Sequence, residues 1–184
     1  MKITKKEMVF DGNYLGVVRK YFTIDTGQEC FWETVERKNI YNGGAVVIVA
    51  LTKKRELILE RNWRVPIESF VIQFPAGLTD KKGESEEEAA RRELLEETGY
   101  RAEKLIPIIT VPLCPALAST RATHFFAPDV EFTGNKKRDA AEEIEVIKVP
   151  LEELDHFLFN LPEGTELDLR VPGVLCFLEK QKLF

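Results

Sequence analysis

The segment from Gly77 to Tyr100, GLTDKKGESEEEAARRELLEETGY, sets seven glutamates and the adjacent Arg91 and Arg92 into a stretch otherwise suited to a helix. Ser85 followed by Glu88 is a capping-box pattern, in which each side chain satisfies a free backbone N–H at the helix start. Gly99 stands where a left-handed residue would close the helix. At about 100° per residue, Glu93, Glu96 and Glu97 share one side while Leu94 and Leu95 point roughly the other way. The spacing predicts a helix that buries its leucines and presents three carboxylates together. Two carboxylates ~5 Å apart at an effective dielectric of ~20 repel by roughly 3 kcal/mol. A divalent cation removes that cost, and an all-oxygen donor set suits Mg²⁺ or Mn²⁺. Charge alone favours the plainer reading of a solvated acidic face with scattered Glu–Arg pairs; the wider pattern reverses it.

Glu84, seven residues, then Arg92-Glu93-Leu94-Leu95-Glu96-Glu97-Thr98-Gly99-Tyr100 resembles the Nudix box, G-x5-E-x7-R-E-U-x-E-E-x-G-U, where U is aliphatic or aromatic. Every fixed residue from Glu84 onward is present. Upstream, six residues rather than five separate Gly77 from Glu84, and the extra one falls in the turn Asp80-Lys81-Lys82-Gly83, where insertion costs little. The resemblance implies Mg²⁺ (with Mn²⁺ as substitute) held by Glu93, Glu96 and Glu97, and a bracing pair of Glu84 with Arg92. By the same resemblance Glu96 and Glu97 would be catalytic, as carriers of the metal chemistry.

Other segments resemble the ADP-ribose and nucleoside-diphosphate-sugar pyrophosphatase branch of that family. Val71-Ile72-Gln73-Phe74-Pro75-Ala76-Gly77 is similar to its E-x-P-A-G run with Gln73 replacing the glutamate, which makes the main-chain carbonyl of Ala76 a candidate ligand. Arg61-Asn62-Trp63-Arg64 resembles its Q-Y-R segment, so Arg64 is the candidate phosphate clamp, with Trp63 a candidate for stacking on a base. Cys114-Pro115-Ala116-Leu117 looks like the loop that flanks the substrate, through Pro115 and Leu117. His124, downstream of it, is read as a strand residue without catalytic duty. The polar stretch from 130 to 145 reads as a mobile loop. In relatives such a loop supplies a further metal ligand and often the carboxylate that activates water. Glu142 falls on the ligand position, and Ala140 stands where many relatives have another glutamate. The general base is therefore left open between Glu142, Glu143 and a glutamate of the box.

With 184 residues, 44% apolar and 31% charged, the chain suffices for one well-buried core. A net charge of -5 argues against a nucleic-acid binder with a broad basic surface. Three dispersed cysteines with no C-x-x-C pair fit a reducing compartment. The polar start is unlike a signal peptide, and the longest apolar run, 45–51, is too short to span a bilayer. These features predict a cytoplasmic protein without membrane or nucleic-acid partners.

Residues 1–40 read as a small antiparallel sheet, with strands near 14–25 and 29–37 joined by a turn at Asp25-Thr26-Gly27-Gln28. Too small to be stable alone, it is expected to lean on the rest of the chain or on a second copy; the resemblance implies a homodimer. Residues 41–184 make the main domain. Strands are expected at 45–51, 56–64, 71–77, 103–111, 121–127 and 144–149, a helix from Pro150, and an amphipathic helix over 168–182. This alternation predicts an α+β chain, and the resemblance specifies the Nudix fold, an α/β/α sandwich around a mixed sheet. The implied activity is hydrolysis of the diphosphate of ADP-ribose or of a nucleotide sugar such as GDP-mannose. Other Nudix substrates, such as a dinucleoside polyphosphate or a damaged nucleotide, and a weakly catalytic sensor of the same ligands remain alternatives.

Overall fold

The computed structural model describes residues 1–41, 44–134 and 143–184. Two sheets carry the fold. β1 (Lys2–Asp11), β2 (Leu15–Thr23) and β3 (Glu29–Arg37) form an antiparallel sheet of their own. The second, nine-stranded sheet is mixed. It contains β4 (Gly44–Thr52), β5 (Glu56–Arg64), β6 (Ser69–Gln73), β7 (Ala76–Leu78), β8 (Tyr100–Arg101), β9 (Ile106–Pro112), β10 (Arg121–Phe132), β11 (Ile144–Pro150) and β12 (Thr165–Leu167). β10 runs parallel to β4 and antiparallel to β8 and β9, while β5 is antiparallel to β4, β6 and β11.

Helices cover both faces of this sheet, the expected sandwich. On one face α1 (Glu86–Thr98) sets Ala89, Ala90 and Leu94 against Val46, Ile48, Ala50 and Ile58. On the other, α2 (Leu154–Phe159) and α3 (Arg170–Gln181) pack Leu154, Val171, Val174, Leu175 and Leu178 against Val47, Val49, Leu57 and Leu59. β4 is buried along its whole length because both faces are covered.

The sheet splits where the site lies. β4 and β5 are paired only through Ala50–Ile58 and Leu51–Leu57, and beyond that point they diverge. The run from β6 to β7 enters the gap, pairing Gln73 with Glu60 on β5 and then Ala76 with Val47 on β4. Pro75 sits at the change of partner, where no N–H is needed, and its carbonyl accepts the N–H of Ile48 at 2.9 Å.

Several expectations need correction. β10 continues to Phe132, so the segment from 130 does not begin as loop. A 3₁₀ turn at Leu151–Glu153 precedes α2, which is shorter than the helix expected from Pro150. β12, only three residues long, was not expected; it pairs with β6 and places the start of α3 beside the split. In α1 Leu95 is half-buried, whereas Glu97 is only 5% exposed. Glu97 lies three residues after Leu94, on the edge of the apolar stripe.

Candidate active site

α1 begins and ends as its sequence dictates. Ser85 and Glu88 form the reciprocal capping box, and Gly99 closes the helix at φ 79°. The helix thereby lies against β7 at the split, where a cavity of about 930 Å³ opens.

One wall of this cavity is made by α1 and the residues just before it. Asp80, Lys81, Arg92, Glu93, Glu96 and Glu97 line it together with Ala76 and Gly77. Glu97 Oε2 accepts the backbone N–H of Ala76 at 3.1 Å, tying the helix to β7. Glycine at 77 has a steric reason: a Cβ there would stand 2.0 Å from Cδ of Glu93. The carboxylate thus rests directly on the strand.

Arg92 organises this wall. It donates to both oxygens of Glu84 (2.8 and 2.9 Å), to Glu93 Oε1 at 2.8 Å and to Glu96 Oε2 at 3.2 Å. Hydrogen bonding to Arg92 holds the Glu84 carboxyl below its ordinary range, and the same bonds push the Arg92 guanidinium further into its charged form. Glu93 goes the other way: burial raises it to about 6 against the attraction of Arg92. An ionised Glu93 is therefore a costly group that extra positive charge would relieve.

The donors at this wall are carboxylate oxygens plus the Ala76 carbonyl, a set that fits Mg²⁺ or Mn²⁺ in kind. Among the described residues, no three His, Cys, Asp or Glu side chains converge on a single metal position. Arg92 occupies oxygens of Glu93 and Glu96, and the Ala76 N–H occupies Glu97. Arg92 takes one oxygen of Glu93 and one of Glu96, which leaves the second oxygen of each outside its hydrogen bonds.

The other wall comes from β5, β6, β12 and the start of α3, with Arg64, Gln73, Glu166, Asp168 and Arg170. Arg64 donates through Nε and one Nη to Gln73 Oε1, at 2.8 and 2.6 Å. Guanidinium only donates, so this fixes which end of the amide is oxygen; Gln73 Nε2 is buried with no hydrogen-bond partner among the described residues. A neutral amide at 73 also avoids a second carboxylate directly across from buried Glu60. Asp168 is held by Arg170, through its backbone N–H at 2.9 Å and through Nε and Nη2 of the guanidinium. Burial pushes the Asp168 carboxyl up, but the Arg170 bonds and charge and the nearby Arg64 outweigh it, leaving it below the ordinary range.

Not every expected residue reaches the cavity. Trp63 is 40% exposed and lies edge-on to Phe70, ring centres 5.0 Å apart, away from the cavity lining. Its neighbour Arg64 does line it, and adjacent strand residues point to opposite faces. Pro115 and Leu117 are also absent from the lining. Their loop holds the small sheet instead: the Leu117 carbonyl accepts the Val35 N–H at 2.8 Å, and Trp32 Nε1 donates to the Ala116 carbonyl at 2.9 Å. Leu113, just before that loop, lines the cavity, as does Arg37 from the end of β3. His124 is fully buried, and burial, followed by the charge of Arg170, lowers its pKa. Glu143 is exposed, and its carbonyl accepts the Trp63 N–H at 3.3 Å. Ala140 and Glu142 lie outside the described residues. Sequence reasoning missed Arg37, and also Asp168 and Arg170, whose only local signal is an Asp two residues before an Arg.

The chain matches the NUDIX domain model over residues 41–168. It is 31% identical to an ADP-ribose pyrophosphatase of Bacillus subtilis (strain 168), over 83% of this chain and 80% of that one. It is also 29% identical to a methanol dehydrogenase activator of Bacillus methanolicus, over 98% of this chain and 94% of the relative. The crystal structure of an ADP compounds hydrolase superposes with a TM-score of 0.80 at 26% identity, covering 98% of this chain and 92% of that one. The family match takes in the acidic helix and the strands that part beneath it, and the chain therefore belongs to the NUDIX domain family as a Nudix hydrolase.

Proposed function

We propose that the chain is a Mg²⁺-dependent pyrophosphatase acting on ADP-ribose or a nucleoside-diphosphate sugar, GDP-mannose among the candidates, releasing a nucleoside monophosphate and a sugar phosphate. The observation that carries this reading is one cavity with two unlike walls: three helix carboxylates on one, and on the other an arginine held by a neutral amide. A diphosphate can sit against carboxylates only through cations, and it needs a cationic group to hold the phosphate they do not reach. Relatives named as an ADP-ribose pyrophosphatase and an ADP compounds hydrolase support the choice of ADP-linked substrates.

Glu93, Glu96, Glu97 and the Ala76 carbonyl would hold Mg²⁺, with Glu142 as a further ligand. Bound there, the metal supplies charge neutralisation to the diphosphate and acidity to the attacking water. Arg64 fixes the diphosphate through its free N–H groups, while Gln73 keeps its planar fork in place. Glu142 or Glu143 would take the proton from water, Glu143 having its carbonyl on the Trp63 N–H near the end of β5, with a box glutamate as the alternative. Glu84 would brace Arg92 beside these carboxylates.

The small sheet would also join two copies, since β1 is exposed along its length and Phe10, Tyr14, Phe31 and Trp32 are uncovered. Free Cys30, Cys114 and Cys176 suit a reducing cytoplasm. No described helix is long and apolar enough to cross a membrane.

The test is a substrate panel at fixed Mg²⁺: ADP-ribose, GDP-mannose, a dinucleoside polyphosphate and an oxidised nucleoside triphosphate, with products read by phosphorus NMR. Preference for the nucleotide sugars supports the proposal. Saturable binding with no turnover in Mg²⁺ or Mn²⁺ overturns it in favour of a sensor.

A further inference from the structure

The wall opposite α1 holds two arginines with different partners. Arg64 is held by the neutral oxygen of Gln73 and not by a carboxylate. Arg170 is forked onto Asp168, so that pair carries no net charge, and Nη1 of Arg170 makes no hydrogen bond among the described residues. Both oxygens of Asp168 are taken, Oδ1 by the backbone N–H and Nε of Arg170 and Oδ2 by Nε and Nη2. Asp168 is thus a holder and Arg170 the group left with donors to offer. The exposed carboxylate of Glu166 lines the same wall and offers acceptors.

A guanidinium already paired with a carboxylate is less suited to phosphate than an unpaired one, and with the Glu166 carboxylate on the same wall it offers neutral hydroxyls a donor and an acceptor together. Resting on the diphosphate reading above, we infer that Arg170 and Glu166 form a subsite for the hydroxyls of the sugar beyond the second phosphate, with Asp168 positioning Arg170. Arg64 then takes phosphate and Arg170 takes sugar. The aligned backbone fits this division: β12 pairs Glu166 with Val71 on β6, two residues before Gln73, and Asp168 continues it by donating its N–H to the Ile72 carbonyl at 2.9 Å, so both arginine holders belong to one pair of strands and its continuation.

The experiment compares ADP-ribose with the methyl ester of ADP, which has the same diphosphate and no terminal sugar, in the wild type and in Arg170→Ala and Arg170→Lys. The wild type should prefer ADP-ribose in kcat/KM, and both variants should narrow that preference by about tenfold, the scale of one charge-assisted hydrogen bond. Lysine keeps the charge and loses the fork, so a narrowing in it shows that geometry matters even if the alanine variant fails to fold. A structural role at the start of α3 would lower both compounds alike; equal losses, or no narrowing, overturn the subsite alone. Failure of the wild type to hydrolyse either compound overturns the diphosphate reading, and the subsite with it.

Discussion

At the α1 wall of the cavity, Arg92, Glu93, Glu96 and Glu97 come from a single helix of 13 residues. At the other wall, Arg64, Gln73, Asp168 and Arg170 arrive from two strands and the approach to α3, across a hundred positions of chain. The first wall is an acidic cluster held together by one shared arginine. The second consists of two arginines, each with its own holder. The difference teaches how the two halves of a charged substrate could be received: one wall is short of positive charge and would accept a cation, and the other supplies two arginines with different holders.

The largest effect should come from the α1 wall. Glu97→Gln keeps an acceptor for the Ala76 N–H and leaves the leucine stripe alone, so the fold should persist, but kcat should fall by more than about a hundredfold, beyond the usual cost of losing an outer partner of a metal ligand. Near-normal kcat would remove Glu97 from the site. Gly77→Ala drives a Cβ into the Glu93 carboxylate. Overpacking of this kind costs about 1–3 kcal/mol, and a lowered melting temperature should accompany a steep loss of turnover. Unchanged behaviour would show that Glu93 can leave β7 freely.

At the second wall the loss should appear in binding. Arg64→Ala should raise KM for ADP-ribose by one to two orders of magnitude, on the scale of about 1.5–3 kcal/mol for a charged hydrogen bond, with a smaller change in kcat. A loss confined to kcat would place Arg64 on the chemistry and blur the contrast between walls.

The smallest and most diagnostic effect concerns pH in the metal-free protein. Glu93 has its folded pKa raised by burial to about 6, so the stability it contributes is present below its unfolded value and lost as pH rises through about 6. Asp168 is lowered on balance, because Arg170 outweighs burial, so its contribution is present above its unfolded value and lost as pH falls through the folded one. Glu93→Gln should therefore raise the metal-free melting temperature at pH 8 by the equivalent of about 1–2 kcal/mol and leave it unchanged near pH 4. Asp168→Asn should lower it at pH 8 and converge with the wild type only in stronger acid. Two variants moving the same way at pH 8 would break the contrast.

The contrast also separates what could be read in the sequence from what could not. The α1 wall was legible because its signals are local: the capping box, the closing glycine and the carboxylate spacing all lie within one turn of their partners. Strand positions on β4, β5 and β11 were legible from composition. β12 was not, because three residues carry no periodicity, and without β12 nothing marks Asp168 and Arg170 as cavity residues. Trp63 and Arg64 are read together as a base-stacking aromatic and a phosphate clamp, but their adjacency on β5 sets them on opposite faces and only Arg64 lines the cavity. The loop of Pro115 and Leu117 shows the other kind of limit. Its hydrogen bonds to β3 span about eighty residues and leave no trace in its own sequence.

The most direct measurement is the rate of ADP-ribose hydrolysis by the wild type across a Mg²⁺ titration that begins in chelator. The two-walled site predicts no turnover in chelator and a rate that saturates with Mg²⁺, yielding AMP and ribose phosphate. Turnover that persists in chelator, or none at saturating Mg²⁺, would contradict it.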